Sequence, residues 1–180
     1  MALIAGAAPA AAPQAARPNP FAKKSALPFQ APAFDKITDA DFQPAIEEGM
    51  RLHLAEIRKI AENPAPPTFQ NTFAAMEKAG QMLARVGTVF NCLTGANTDD
   101  TLQKIQEEEA PKLAAHSDAI YLNEQLFKRV EAVYAKRGKL KLDPESARLV
   151  EYTYQQFVKA GARLSDADKG QLKKLNEEES

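Results

Sequence analysis

The chain has 180 residues, 44% of them apolar and 26% charged, which is globular composition of about one domain. Its 23 Lys and Arg against 24 Asp and Glu leave a net charge of −1, so there is no positive field to hold nucleic acid. One cysteine, Cys92, excludes an internal disulfide framework, and no run approaches the roughly 20 apolar residues a membrane-spanning helix needs.

Residues 1–33 read as a leader. Six of the twelve prolines lie in the first 32 residues, and Arg17, Lys23 and Lys24 precede the first acid, Asp35. The Ala/Pro-rich stretch MALIAGAAPAAAPQAARPNP has little that can pack, which predicts a disordered or extended leader. Ala10–Ala12 and Ala15-Ala16 look like the small-residue end of an export signal, but no charged segment stands in front of them. Read as the remnant of such a signal, the leader implies a periplasmic protein. Read as low-complexity sequence without an address, it leaves the protein cytoplasmic.

Residues 34–180 read as helix after helix, a multi-helix all-α bundle. Thr38 and Asp41 have capping-box spacing, and Phe42, Ile46, Met50, Leu54, Ile57 and Ala61 step by three or four along one face. Pro64, Pro66 and Pro67 require that helix to stop by Asn63. A second run from Thr68 carries Phe69, Phe73, Met76, Leu83, Val86 and Phe90. Gly80 and Gly87 stand on it at positions suited to close helix contact, and Gly95 reads as its terminator.

Thr98, Asp99 and Asp100 open a third helix with Leu102, Ile105, Leu113 and Ile120 inward, in which Pro111 predicts a kink or a division. Asn123 caps a fourth, with Leu126, Phe127, Val130, Val133 and Tyr134 inward and Lys136, Arg137 and Gly138 at its end. Asp143-Pro144-Glu145 is the clearest helix start in the chain. The helix it opens pairs Leu149/Val150, Thr153/Tyr154 and Phe157/Val158 and reaches Gly161; this stripe is wide enough that part of it is expected to face a further segment. Ser165 and Asp168 cap a last helix, poor in apolar residues, that runs into Asn176-Glu177-Glu178-Glu179-Ser180 as though the chain continues.

The residues themselves supply no catalytic constellation. A catalytic zinc needs three protein ligands, whereas His53 and His116 stand 63 positions apart and outside any HExxH. Each is spaced one turn from apolar neighbours, so both are expected to pack at helix interfaces. Cys92 in FNCLTG has no base within helical reach and reads as a buried small hydrophobe. Lys136, Arg137, Lys139 and Lys141 lack interleaved aromatics and read as a solvated helix end. Glu107, Glu108 and Glu109 read as a solvent face, and Asp99 and Asp100 as first-turn residues rather than an acid and a base. No catalytic, cofactor-binding or metal-binding residue is assigned.

Longer segments carry a resemblance. LPFQAPAFDKITDADFQPAIEEGM (27–50) resembles the opening of the thimet-oligopeptidase-like zinc metallopeptidases. ENPAPPTFQNTFAAMEKAG (62–80) and LTGANTDDTLQKIQEEEAPKLAAHSDAIYLN (93–123) resemble the peptidyl-dipeptidase, or dipeptidyl carboxypeptidase, branch. LDPESARLVEY (142–152) and LSDADKGQLKKLNEE (164–178) continue in the same order, so the resemblance covers residues 19–180.

It implies a long helical hydrolase with a channel between two halves, whose zinc is held in the C-terminal half by an HExxH pair and a downstream Glu. It further implies that this chain is the N-terminal, channel-wall portion, inactive alone, with no cofactor of its own and the C-terminal catalytic half as its partner. Short peptides, trimmed by dipeptides from their C-termini, would be the substrates of the whole. The alternative is a free-standing helical interaction module without catalytic activity.

Overall fold

The computed structural model describes residues 17–179. The signal-like Ala/Pro segment over 1–16 and the final Ser180 lie outside the described residues. Seven α-helices follow one another among them: α1 (Phe42–Ala61), α2 (Phe73–Lys78), α3 (Gln81–Ala96), α4 (Asp100–Tyr121), α5 (Glu124–Lys136), α6 (Pro144–Lys159) and α7 (Asp166–Glu179). The described residues contain no strand, and the fold is the all-α bundle that the periodicity predicts.

Packing begins earlier than residue 34. Asn19 opens a short 3₁₀ turn, Pro20–Ala22, and Phe21 is 5% exposed with its ring 5.3 Å from that of Phe42. Arg17 donates to the Lys36 carbonyl at 2.8 Å, to Thr38 Oγ1 at 3.0 Å and to Asp41 Oδ2 at 2.5 Å. Asn19 Nδ2 donates to the Asp41 carbonyl at 2.8 Å. A single aromatic and two side chains with several donors tie down a stretch whose average composition reads as leader. Among the described residues, packing therefore includes Arg17, Asn19 and Phe21, ahead of residue 34.

The expected caps form. Thr38 N–H donates to Asp41 Oδ2 at 2.7 Å, closing a 3₁₀ turn that runs into α1. Asp99 accepts from Leu102 N, Asn123 from Leu126 N and Asp143 from Ser146 N, at 2.8–2.9 Å. The Ser165 hydroxyl accepts from Asp168 N at 3.2 Å ahead of α7.

Five expectations are corrected. The run from Thr68 is two helices, because Gly80 adopts φ +70° between α2 and α3, a left-handed geometry that glycine enters without strain. Close helix contact is made by Gly49, not Gly87: a Cβ on Gly49 would meet the Leu83 backbone at 2.9 Å, whereas one on Gly87 would meet nothing within 4 Å. Gly95 is helical, and α3 ends at Ala96 with Asn97 as its cap. Pro111 lies inside α4, which is not divided there, and Leu113 is 38% exposed rather than inward.

Two apolar clusters result. One joins Phe21, the first half of α1 (Phe42, Ile46, Met50), α3 (Val86, Phe90) and the start of α4 (Leu102, Ile105). The other joins the second half of α1 (Ile57, Ile60), Phe73, Ile120, α5 (Leu126, Val130) and α6 (Val150, Phe157). The wide stripe on α6 is spent inside this second cluster: Val150 and Phe157 are fully buried, and Leu149, Tyr154 and Val158 pack against it. Helix α7 lies on α4, where Asn176 Nδ2 donates to Asp118 Oδ1 at 2.8 Å.

Candidate functional site

Both histidines fall on the seam between the two clusters. His53 stands on α1 between Met50, which belongs to one cluster, and Ile57, which belongs to the other. His116 stands on α4 between Ile105 and Ile120, which divide in the same way. As expected, each packs at a helix interface. What spacing could not show is that the interface is shared: His53 Nδ1 lies 3.0 Å from His116 Nε2, with ring centroids 5.0 Å apart.

One proton joins the two rings. His116 is 8% exposed, and its Nδ1 is buried without a partner. A buried N–H with no acceptor costs more than a bare lone pair, so His116 carries its proton on Nε2 and donates to His53 Nδ1. Burial, together with the neighbouring His53, lowers the His116 pKa to about 4. Burial also lowers that of His53, and the Glu56 carboxylate offsets part of the effect. At neutral pH the pair is uncharged.

Gly80 packs against the His53 ring. A Cβ there would lie 2.9 Å from the imidazole Nδ1, so the chain can cross this close only as glycine. Its N–H donates to Glu56 Oε2 at 2.7 Å, fixing the α2–α3 break against α1. Beside the pair opens a cleft of about 480 Å³ whose lining includes Glu77, Tyr121, Tyr152 and Gln156. Burial raises the Tyr121 pKa, assisted by Tyr152 and Glu77, so its phenol stays protonated.

The arrangement is a neutral, proton-sharing contact between helices. It does not fit a catalytic zinc: the two imidazole nitrogens face one another, and among the described residues no three His, Cys, Asp or Glu side chains converge on a point.

The other singled-out residues lie apart from the seam. Cys92 is exposed on α3, not the buried hydrophobe expected, because that face of α3 turns outward beyond Phe90. Asp99 and Asp100 are the cap and first turn of α4. Lys136, Arg137, Lys139 and Lys141 are exposed around the 3₁₀ turn that follows α5.

Glu107 and Glu108 face solvent, but Glu109 is 1% exposed, and its Oε1 accepts from Lys112 Nζ at 2.7 Å and Gln43 Nε2 at 3.1 Å. Hydrogen bonds from Lys112 to Glu109 and Glu47 hold the ammonium well above its usual pKa. Glu109 was legible: 102, 105 and 109 continue one helical stripe.

Arg129 was legible in the same way, as the polar member of Leu126, Arg129, Val130 and Val133. Its guanidinium donates to the Asn63 and Ala65 carbonyls at 2.7 and 3.1 Å and to Asn71 Oδ1 at 3.0 Å. It thereby clamps the proline-rich turn between α1 and α2 to α5.

No family model matches the chain. Two relatives do: it is 49% identical over 160 residues to a dipeptidyl carboxypeptidase of Escherichia coli (strain K12), and 49% identical over 160 residues to one of Salmonella typhimurium. In each case the match takes in 89% of this chain and 24% of the relative. The chain therefore spans about a quarter of the length of the dipeptidyl carboxypeptidases it matches.

Proposed function

We propose that the chain is the N-terminal, channel-wall portion of a zinc metallopeptidase of the dipeptidyl carboxypeptidase type, which releases dipeptides from the C-termini of short peptides. On this reading it carries no cofactor of its own and is inactive without the remaining part. The observation that carries the reading is the breadth of the likeness: nearly the whole chain, 89% of it, is 49% identical to proteins about four times as long. Identity on that scale over 160 residues is what a structural quarter of such a protein would show.

The all-helical architecture supports the reading. So does the character of the only cluster of imidazoles among the described residues, a buried neutral contact between two helices rather than an open ligand set. The thimet-oligopeptidase-like relationship read from residues 27–50 belongs to the same proposal. If residues 1–16 are the remnant of an export signal, the site of action is the periplasm.

The test is dipeptide release from blocked peptides by the isolated chain, with its metal content measured after dialysis. The expected result is no release and no stoichiometric zinc. Turnover together with one zinc per chain would overturn the proposal.

A further inference from the structure

Three of the exposed large hydrophobic residues crowd into one eight-residue stretch: Leu27 (46% exposed), Phe29 (103%) and Phe34 (53%). Phe29 and Gln30 both hold left-handed backbone, φ 58° and 57°, a region that L side chains other than Asn and Asp seldom occupy. An aromatic residue held fully in water by strained backbone gains nothing from this chain alone.

Behind the stretch is a cleft of about 570 Å³ between residues 20–37 and α3. Its floor includes Phe21, Ile37 and Val89, and its charged lining is Lys23, Lys24, Lys36 and Arg85 against the single acid Asp35. Arg85 Nη2 donates to the Phe21 carbonyl at 3.1 Å, while its Nε is buried without a partner. The lining is apolar and basic, and of the three exposed hydrophobics only Leu27 borders it.

We propose that residues 27–34 and this cleft form the seat for an acidic, apolar segment of the remaining part of the larger protein. The inference rests on the reading of the chain as one portion of a dipeptidyl carboxypeptidase. Two observations choose this occupant. The match takes in 24% of each relative, and on the proposed reading the unmatched length is what would supply the occupant. The cleft's excess of three positive charges over a neutral lining selects an acidic contact within that surface.

The test joins this chain, in place of the matched quarter, to the remainder of the Escherichia coli relative. Carbene labelling is compared between the fusion and the isolated chain, and Phe29→Ser, Phe34→Ser and Lys24→Glu are made in both. In the isolated chain Phe29 and Phe34 should label strongly, and none of the three substitutions should move its urea midpoint. In the fusion their labelling should fall to that of the buried Phe42, and each substitution should lower the urea concentration at which dipeptide release is half lost.

An active fusion whose Phe29 and Phe34 still label as in the isolated chain would overturn the inference and leave the parent reading standing. Protection of 27–34 in the isolated chain that grows with its concentration would assign the surface to a second copy and overturn it likewise. A fusion that folds without releasing dipeptide, or does not fold, would remove the reading and the inference with it.

Discussion

Acidification from pH 7 to pH 5 should destabilise this bundle, with His116 the largest contributor and His53 acting in the same direction. The ordinary imidazole pKa is 6.5 and that of His116 in the folded chain is about 4. Between those values the unfolded chain binds the extra proton and the folded chain does not, so stability falls as pH falls. At about 1.4 kcal/mol per pKa unit the full loss is about 3 kcal/mol, and about 2 kcal/mol of it is incurred by pH 5.

The groups facing the pair are His53 and Glu56 from α1, Glu77 from α2, Tyr121 from α4 and Tyr152 from α6. Glu56 favours the proton on His53, but a proton there must sit on Nδ1, which reverses the shared hydrogen bond and forces an N–H onto the buried, unpartnered Nδ1 of His116. Urea midpoints at pH 7, 6 and 5 for the natural chain and for His116→Leu measure the effect. The natural chain should lose about 2 kcal/mol more than the variant over that range. Parallel pH profiles would refute the assignment of the loss to this imidazole.

Other substitutions separate the packing from its alternatives. Gly49→Ala should cost about 1–3 kcal/mol by driving a methyl into the Leu83 backbone, whereas Gly87→Ala should stabilise α3 by about 0.5–1 kcal/mol; calorimetry showing the same sign for both would contradict the α1–α3 contact. Phe90→Ala, which removes a ring 5.3 Å from Phe42 in the first cluster, should cost about 3–5 kcal/mol by urea unfolding, far more than a surface substitution. Lys112→Ala should lower the urea midpoint more than Glu109→Gln, because the first leaves a buried carboxylate without its cation and the second leaves an ammonium that can turn to water. Arg129→Met should open the turn at 63–71, seen as faster proteolysis there than elsewhere.

The helices were readable because their signals are local. Asp99, Asn123 and Asp143 are caps by side-chain chemistry alone, and the α1 stripe repeats every three or four residues. What failed depends on distant neighbours. Whether Gly87 or Gly49 is the close-contact glycine depends on which helix crosses which, and nothing within one helix encodes that. The exposure of Cys92 turns on the same fact: a helix's inward face is set by its partners once its stripe is broad, whereas the burial of Glu109 follows from its place on the stripe of Leu102 and Ile105.

The order of the N-terminal stretch was missed because composition averages away Arg17, Asn19 and Phe21, the three residues that dock it. The histidines show the limit most clearly. Each could be placed one turn from apolar neighbours on its own helix, but only the crossing of α1 and α4 brings them to 3.0 Å.

The measurement that bears most directly on the central claim is a single assay of dipeptide release. Three samples are compared under one zinc-supplied buffer: the isolated chain, the remainder of the Escherichia coli relative co-expressed without it, and the two co-expressed together. Release only from the third sample, with the chain co-purifying, is the expected result. Release by the isolated chain, or release by the remainder that its presence does not change, would contradict the account.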